Sequence, residues 1–316
     1  MNNSYLNSFV FITAMKHMLI SFFEEFPGKE NLHKLKLVAW PTNLYLAAKS
    51  LTEFEGIKTE IKKQDKSKRI KDVKKIKEFV YWPVLKKKEG YWLSPFSRRK
   101  ALLRVFNELK GSKTSVMLDL ELPTTQNPFL FITQLPSFFR NKSLIRQFIA
   151  DYPGKVYLAE YYPVAESREK MLKFMGLHYG EKSNNVQSNK VRSSKVWSNK
   201  VRLNKIQSNK VQLSKVRSNK VKIIKMLYHS LLPFGDAFFR REIALGRKRH
   251  QQNYLAGLGV LSTGILDCEP TLSPQQLKND LLTAQKEGVG EVVIYRLGGL
   301  NKEYARMIKE TIKLFS

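Results

Sequence analysis

Short, almost uninterrupted apolar runs alternate with stretches of helical spacing along most of this chain. The runs Met18–Phe23, Asn43–Ala48, Lys77–Trp82, Ser115–Leu122, Lys155–Ala159, Val221–Tyr228, Asn253–Leu261 and Glu291–Tyr295 read as strands buried on both faces. Between them, apolar residues three and four apart predict helices over Glu30–Val38, Leu51–Lys63, Arg98–Leu109, from Asn141 or Ser143 to about Ala150, Ser167–Met175, Asp236–His250, from Pro274 to about Glu287, and after Asn301. Ser50, Ser97, Ser273 and Asn301 stand where helix caps are expected, and Gly111 and Gly288 where helices end. Phe129–Thr133 is an apolar run inside a long loop.

Eight strand–helix units over about 250 residues match the size of a closed barrel. The fold class expected is therefore α/β, a (β/α)8 TIM barrel over residues 15–316, with residues 1–14 as an extension outside it. The competing arrangement is a doubly wound open sheet. Such a sheet more often places a glycine-rich phosphate loop after its first strand, and here that position holds Glu24-Glu25-Phe26-Pro27.

One segment breaks the pattern. Residues 183–222 repeat a unit close to Ser-Asn-Lys-Val-x, with lysines at 190, 195, 200, 205, 210, 215 and 220. A period of five builds an apolar face on neither a helix nor a strand. The expectation is a disordered low-complexity insert before strand six, with a pentapeptide solenoid and a polyanion-binding arm as alternatives.

Composition changes this picture little. Of the 316 residues, 42% are hydrophobic and 11% aromatic, so a sizeable core is possible. A net charge of +29 (56 Lys and Arg against 27 Asp and Glu) would suggest nucleic acid or another polyanion. Twelve of those cations lie between 183 and 225, where no acid occurs, so polyanion binding by the insert reads as incidental. The lone Cys268 excludes an internal disulfide framework and a Cys-rich metal site, which fits a cytoplasmic location. The apolar stretch Tyr5–Phe23 is interrupted by Lys16 and His17 and lacks a basic leader and a small-residue cleavage site. Neither a signal peptide nor a membrane partner is expected from it.

In a barrel, residues at strand C-termini converge on one mouth, where active sites are built. Asp119 and Glu121, two apart on strand four, share one face. Glu24, Glu25, Lys49, Tyr81, Trp82, Glu160, Tyr161, Tyr228, His229 and Arg296 lie at the ends of other strands. Crowded acids raise one another's pKa, which suits hydrolysis of a glycosidic bond by a proton donor and a second carboxylate. Glu121 is the candidate acid, with Asp119 and Glu160 as partners. Trp82, Tyr81 and Tyr161, with the loop residues Tyr91 and Trp92, would stack on sugar faces or form a hydrophobic lid. The ligand expected is a carbohydrate or another small molecule, with no cofactor. The alternative is Mg2+ or Mn2+ held by Glu24, Asp119, Glu121, Glu160 and His229, in an isomerase, lyase or phosphoesterase. Gly264, Gly298 and Gly299 are candidate phosphate-binding positions, or glycines that merely allow tight turns. An inactive barrel or a basic binding module is the non-enzymatic alternative.

Asp119-Leu120-Glu121 resembles the terminal Asp-x-Glu of the family 18 glycoside hydrolases, the chitinase-like barrels. Met226-Leu227-Tyr228 resembles their Met-x-Tyr on strand six. The resemblance implies that Glu121 protonates the leaving group, that Asp119 positions the substrate acetamido group and that Tyr228 assists. The fuller family pattern has two more aspartates, where this chain has Met117 and Thr114.

Overall fold

The computed structural model describes residues 18–66, 75–122, 128–161, 166–179, 221–231, 235–265 and 267–315. The expected N-terminal extension and almost all of the repeat insert lie outside these residues. Eight strands close into one parallel barrel in sequence order: β1 Leu19–Glu24, β2 Thr42–Ala48, β3 Ile76–Pro83, β4 Val116–Asp119, β5 Val156–Glu160, β6 Val221–Met226, β7 Tyr254–Gly259 and β8 Glu291–Tyr295. The ring is completed by β8 pairing with β1 in parallel, Leu19 opposite Glu291 through Phe23 opposite Tyr295. The fold is thus a (β/α)8 TIM barrel.

The helices are α1 Lys29–Leu32, α2 Leu51–Lys66, α3 Arg99–Leu109, α4 Leu130–Thr133, α5 Phe138–Asp151, α6 Glu166–Met175, α7 Gly235–His250, α8 Pro274–Lys286 and α9 Lys302–Lys313. Ser273 and Asn301 cap as their positions predict, accepting from the backbone N–H of Gln276 (3.1 Å) and Tyr304 (3.0 Å). Ser97 does not cap α3. Its hydroxyl donates to the Trp92 carbonyl at 2.8 Å and ties down the aromatic loop instead. The helix expected over Glu30–Val38 is only a single α-turn followed by a 3-10 segment, and the apolar run at 129–133 contains a helical turn.

Two apolar layers explain why the strands are continuously hydrophobic. Ile20, Phe22, Leu44, Leu46, Leu118, Leu158, Ile223 and Ile294 face the helices. Phe23, Tyr45, Val80, Trp82, Met117, Tyr157, Ile224, Met226, Val293 and Tyr295 fill the barrel. The floor of the barrel is polar. Glu291 accepts from Ser21 Oγ (2.8 Å), Asn43 Nδ2 (2.8 Å) and Tyr45 Oη (3.0 Å), so a buried carboxylate closes the N-terminal end with its hydrogen bonds satisfied.

A second buried charge lies on the outer face. Glu160, fully buried, meets Lys225 Nζ at 2.6 Å, His178 Nδ1 at 3.1 Å and the Tyr179 backbone N–H at 2.8 Å. Burial alone would raise its pKa. The Lys225 and His178 charges and hydrogen bonds outweigh burial and hold the carboxyl well below the ordinary range. Register places Glu160 directly beside Lys225 across β5 and β6, so this pair locks the two strands together. Removing one member strands the other in a dry site. Lys225→Met is expected to cost about 3–5 kcal/mol in urea denaturation. Adding Glu160→Gln is expected to restore part of that loss, whereas a Lys225→Met loss below about 1 kcal/mol would contradict the lock.

Candidate functional site

β4 presents Val116, Leu118 and Leu120 to the helix layer, so Met117 and Asp119 point into the barrel. The backbone N–H of Leu120 still bonds the Ala159 carbonyl at 3.0 Å, which carries the same alternation one step on and turns Glu121 inward too. Both acids line a cavity of about 290 Å³ at the C-terminal mouth. Phe23, Trp82, Trp92, Tyr161, Tyr228 and Tyr295 supply its aromatic walls. Glu25, Arg168 and Glu269 add charge, and Met117, Met226, Leu231, Val260 and Ile265 complete its apolar surface.

Glu25 is anchored from two sides. Tyr91 Oη donates to its Oε1 at 2.6 Å, and Tyr295 Oη donates to its Oε2. Burial raises its pKa, although both phenols oppose the shift. Asp119 has no such support. It is 4% exposed, and its Oδ1 has no hydrogen-bond partner. The Trp82 indole N–H, also buried, lies near enough to favour the Asp119 carboxylate slightly, yet it too makes no hydrogen bond of normal geometry. Two orphaned polar atoms in one cavity are unusual, because buried polar groups nearly always find a partner.

Burial, then the neighbouring Glu121 and Glu25 charges, push the Asp119 carboxyl well above its ordinary range. Burial likewise pushes Glu121 up to about 7, reinforced by Glu25 and opposed by a hydrogen bond from Tyr161. Tyr228 lies among the same carboxylates, and burial with their charge pushes its phenol well above the normal value. The ring of Tyr228 packs against that of Tyr295, with centroids 5.4 Å apart. Chemically the cavity offers two carboxyls able to hold a proton at neutral pH, unpaired hydrogen-bonding atoms and aromatic faces.

Of the residues singled out by sequence, the structure brings Glu25, Asp119, Glu121, Trp82, Trp92, Tyr161 and Tyr228 together here. It places the others elsewhere. Glu160 faces outward to Lys225, so it is no partner for Glu121. Glu24 also faces outward, accepting from the Phe26 (2.8 Å) and Gly298 (2.6 Å) backbone and from Arg296 (3.2 Å). Arg296 is occupied by that contact and by the Thr263 carbonyl at 2.8 Å. Tyr81 packs on Phe54 of α2, 5.2 Å between centroids, because it is one step out of phase with Trp82. Lys49 is exposed, and its backbone N–H bonds Glu53. His229 stacks on Phe239 and meets Asp280 at 2.9 Å, between α7 and α8.

The glycines are close-packed rather than arranged as a phosphate cradle. The Gly298 N–H is already used by Glu24, and a Cβ there would lie 2.7 Å from Asn31 Oδ1. A Cβ on Gly264 would collide with the Tyr295 hydroxyl, and one on Gly299 with the Leu261 backbone. Of the acids and histidine considered for Mg2+ or Mn2+, Glu24, Glu160 and His229 are held by other partners, and among the described residues no group of three Asp, Glu, His or Cys side chains that could hold a metal ion is present.

No protein family's sequence pattern matches this chain, and no curated protein matches it. Among solved structures it is similar to the C-terminal domain of a "putative chitinase" from Desulfitobacterium hafniense DCB-2, at 10% identity and TM-score 0.48, over 95% of this chain and 99% of that one. The spore cortex-lytic enzyme SleL of Bacillus megaterium QM B1551 is similar at 9% identity and TM-score 0.43, over 95% of this chain and 75% of that one. A 7,8-dihydropteroate synthase from Vibrio fischeri ES114 is similar at 9% identity and TM-score 0.38, over 95% and 94%. Likenesses this distant reach glycoside-hydrolase-like barrels and a pterin synthase alike and carry no weight for function.

Proposed function

We propose that the cavity binds a carbohydrate and cleaves a glycosidic bond, with Glu121 as the general acid. The observation that carries this reading is a carboxyl pushed up to about 7 inside an aromatic-walled cavity, next to a second acid whose Oδ1 has no hydrogen-bond partner. A proton held at neutral pH can pass to the glycosidic oxygen as the bond to the sugar carbon breaks. The positive charge that develops on the sugar ring is stabilised by the Glu25 carboxylate, and water then adds to the sugar carbon and gives a proton back to Glu121. Asp119, with Oδ1 unpaired, orients the sugar, and the Tyr228 hydroxyl assists from across the mouth. Glu25 takes the place that Glu160 held in the sequence-based expectation, because it lines the cavity and its charge acts on both Asp119 and Glu121. Trp82, Trp92 and Tyr161 offer faces on which sugar rings stack.

Turnover of a panel of chromogenic glycosides and oligosaccharides tests the reading. On any substrate turned over, Glu121→Gln is expected to lower kcat by about 100-fold or more while glycan binding persists. Because the acid must be protonated, kcat is expected to fall as pH rises through about 7. Glycan binding without turnover by the wild type would leave a lectin-like barrel, and neither binding nor turnover would remove the carbohydrate reading.

Protonation also sets a stability test. The Glu121 pKa is raised from 4.5 to about 7 on folding, so the folded state holds that proton more tightly than the unfolded chain. Its contribution is fully present below pH 4.5 and is lost as pH rises through about 7. Glu121→Gln removes the penalty for ionising a buried carboxyl, on the order of 3 kcal/mol at most. The variant is expected to melt above the wild type at pH 8 and to lose that advantage at pH 4.

A further inference from the structure

The long connection after β4 carries an apolar surface that the barrel does not use. Phe129, Ile132, Leu135 and Phe139, on α4 and the start of α5, are 73%, 74%, 62% and 69% exposed. Met171 and Phe174 of the neighbouring α6 are 50% and 61% exposed. Ring contacts tie α5 and α6 together. Phe138 is edge-on to Phe139 (5.1 Å between centroids) and lies 5.9 Å from Phe174, while Phe96 joins Phe131 to Phe138 from beneath. Single exposed hydrophobic residues are ordinary, but a cluster of this size on two adjacent elements marks an interaction surface.

The charge around the cluster identifies the partner. No Asp or Glu occurs from residue 123 to residue 150, whereas Arg140, Lys142 and Arg146 do. Arg140 and Arg146 are exposed. Lys142 sits over the Phe174 ring at 5.5 Å and donates to the Phe174 carbonyl at 2.7 Å, so a cation is built into the edge of the apolar surface. Burial and the nearby Arg146 lower its pKa. Exposed aromatic and aliphatic side chains with a cation at their edge and further exposed cations on the same helix suit the boundary between anionic headgroups and acyl chains. Among the described residues no helix is long and apolar enough to cross a membrane, so such contact would lie at the interface.

We propose that this face docks on an anionic lipid bilayer, against the expectation from sequence that no membrane is involved. Its placement matters for the site. The segment follows β4, which bears Asp119, and α6 carries Arg168 on the cavity as well as Met171 and Phe174 on the apolar face. Docking would hold the cavity mouth close to the lipid surface. The inference stands apart from the proposed chemistry and survives if that chemistry fails.

Co-sedimentation of the full chain with vesicles tests it, using phosphatidylcholine with and without phosphatidylglycerol. The wild type is expected to partition strongly only to vesicles containing phosphatidylglycerol. The triple variant Phe129→Ser, Ile132→Ser, Phe139→Ser keeps every cation of the chain, including those of the repeat, and is expected to bind about tenfold more weakly. Arg140→Glu with Arg146→Glu is expected to weaken binding to a similar extent. Since these side chains are exposed, melting curves by circular dichroism should match the wild type for both variants. Equal sedimentation of the triple-serine variant and the wild type would overturn the proposal, because the cations alone would then explain binding. So would a wild type that ignores both vesicles, including one that is dimeric where the triple variant is monomeric, which would assign the face to a second copy of the chain.

Discussion

Two carboxyl groups on one face of one strand, turned into a closed barrel, cannot both be desolvated and ionised cheaply. That constraint shapes the mouth of this molecule. Burial raises the affinity of both Asp119 and Glu121 for a proton, the Glu121 charge adds to the effect on Asp119, and Glu25, just past the end of β1, adds to both. The fold deals with its other buried acids differently. Glu291 is held by Ser21, Asn43 and Tyr45, Glu160 by Lys225 and His178, and Glu24 by Arg296 and the Gly298 backbone. Where the chain supplies partners, a buried carboxylate is structural. Where it withholds them, as at Asp119 Oδ1, the group is left available to a ligand.

Much of the barrel was legible from its apolar runs, since strands covered on both faces need no polar alternation. The same property hid the phase. In Leu19-Ile20-Ser21-Phe22-Phe23-Glu24-Glu25 nothing says which acid turns inward, so both stood as candidates, although of the two it is Glu25 that lines the cavity. Tyr81 and Trp82 were likewise taken together, although adjacent strand residues face opposite ways. A signal did exist. Polar residues at strand starts, such as Ser21, Asn43, Lys222 and Glu291, point inward to the floor, and counting in twos from them reaches Glu25, Tyr228 and Tyr295. Asp119 and Glu121 escaped the ambiguity only in being two apart.

Other parts were not legible at all. Arg168, Glu269, Leu231 and Ile265 reach the cavity from loops and helix starts, where no period fixes direction. The opposite charges of Glu160 and Lys225 could have been paired only once strand register was known. The exposed apolar face was visible as a run at 129–133, but exposure depends on what the helices around it cover.

Acid catalysis by Glu121 requires a proton that it retains at neutral pH in the cavity. Difference infrared spectroscopy of wild type against Glu121→Gln, across a pH titration, reads that proton directly. A carboxylic-acid C=O signal that is present at pH 6, disappears through about pH 7 and is absent from the variant is the expected result. A signal already gone by pH 5 would contradict the account, because Glu121 would then be an ordinary ionised carboxylate with no proton to give.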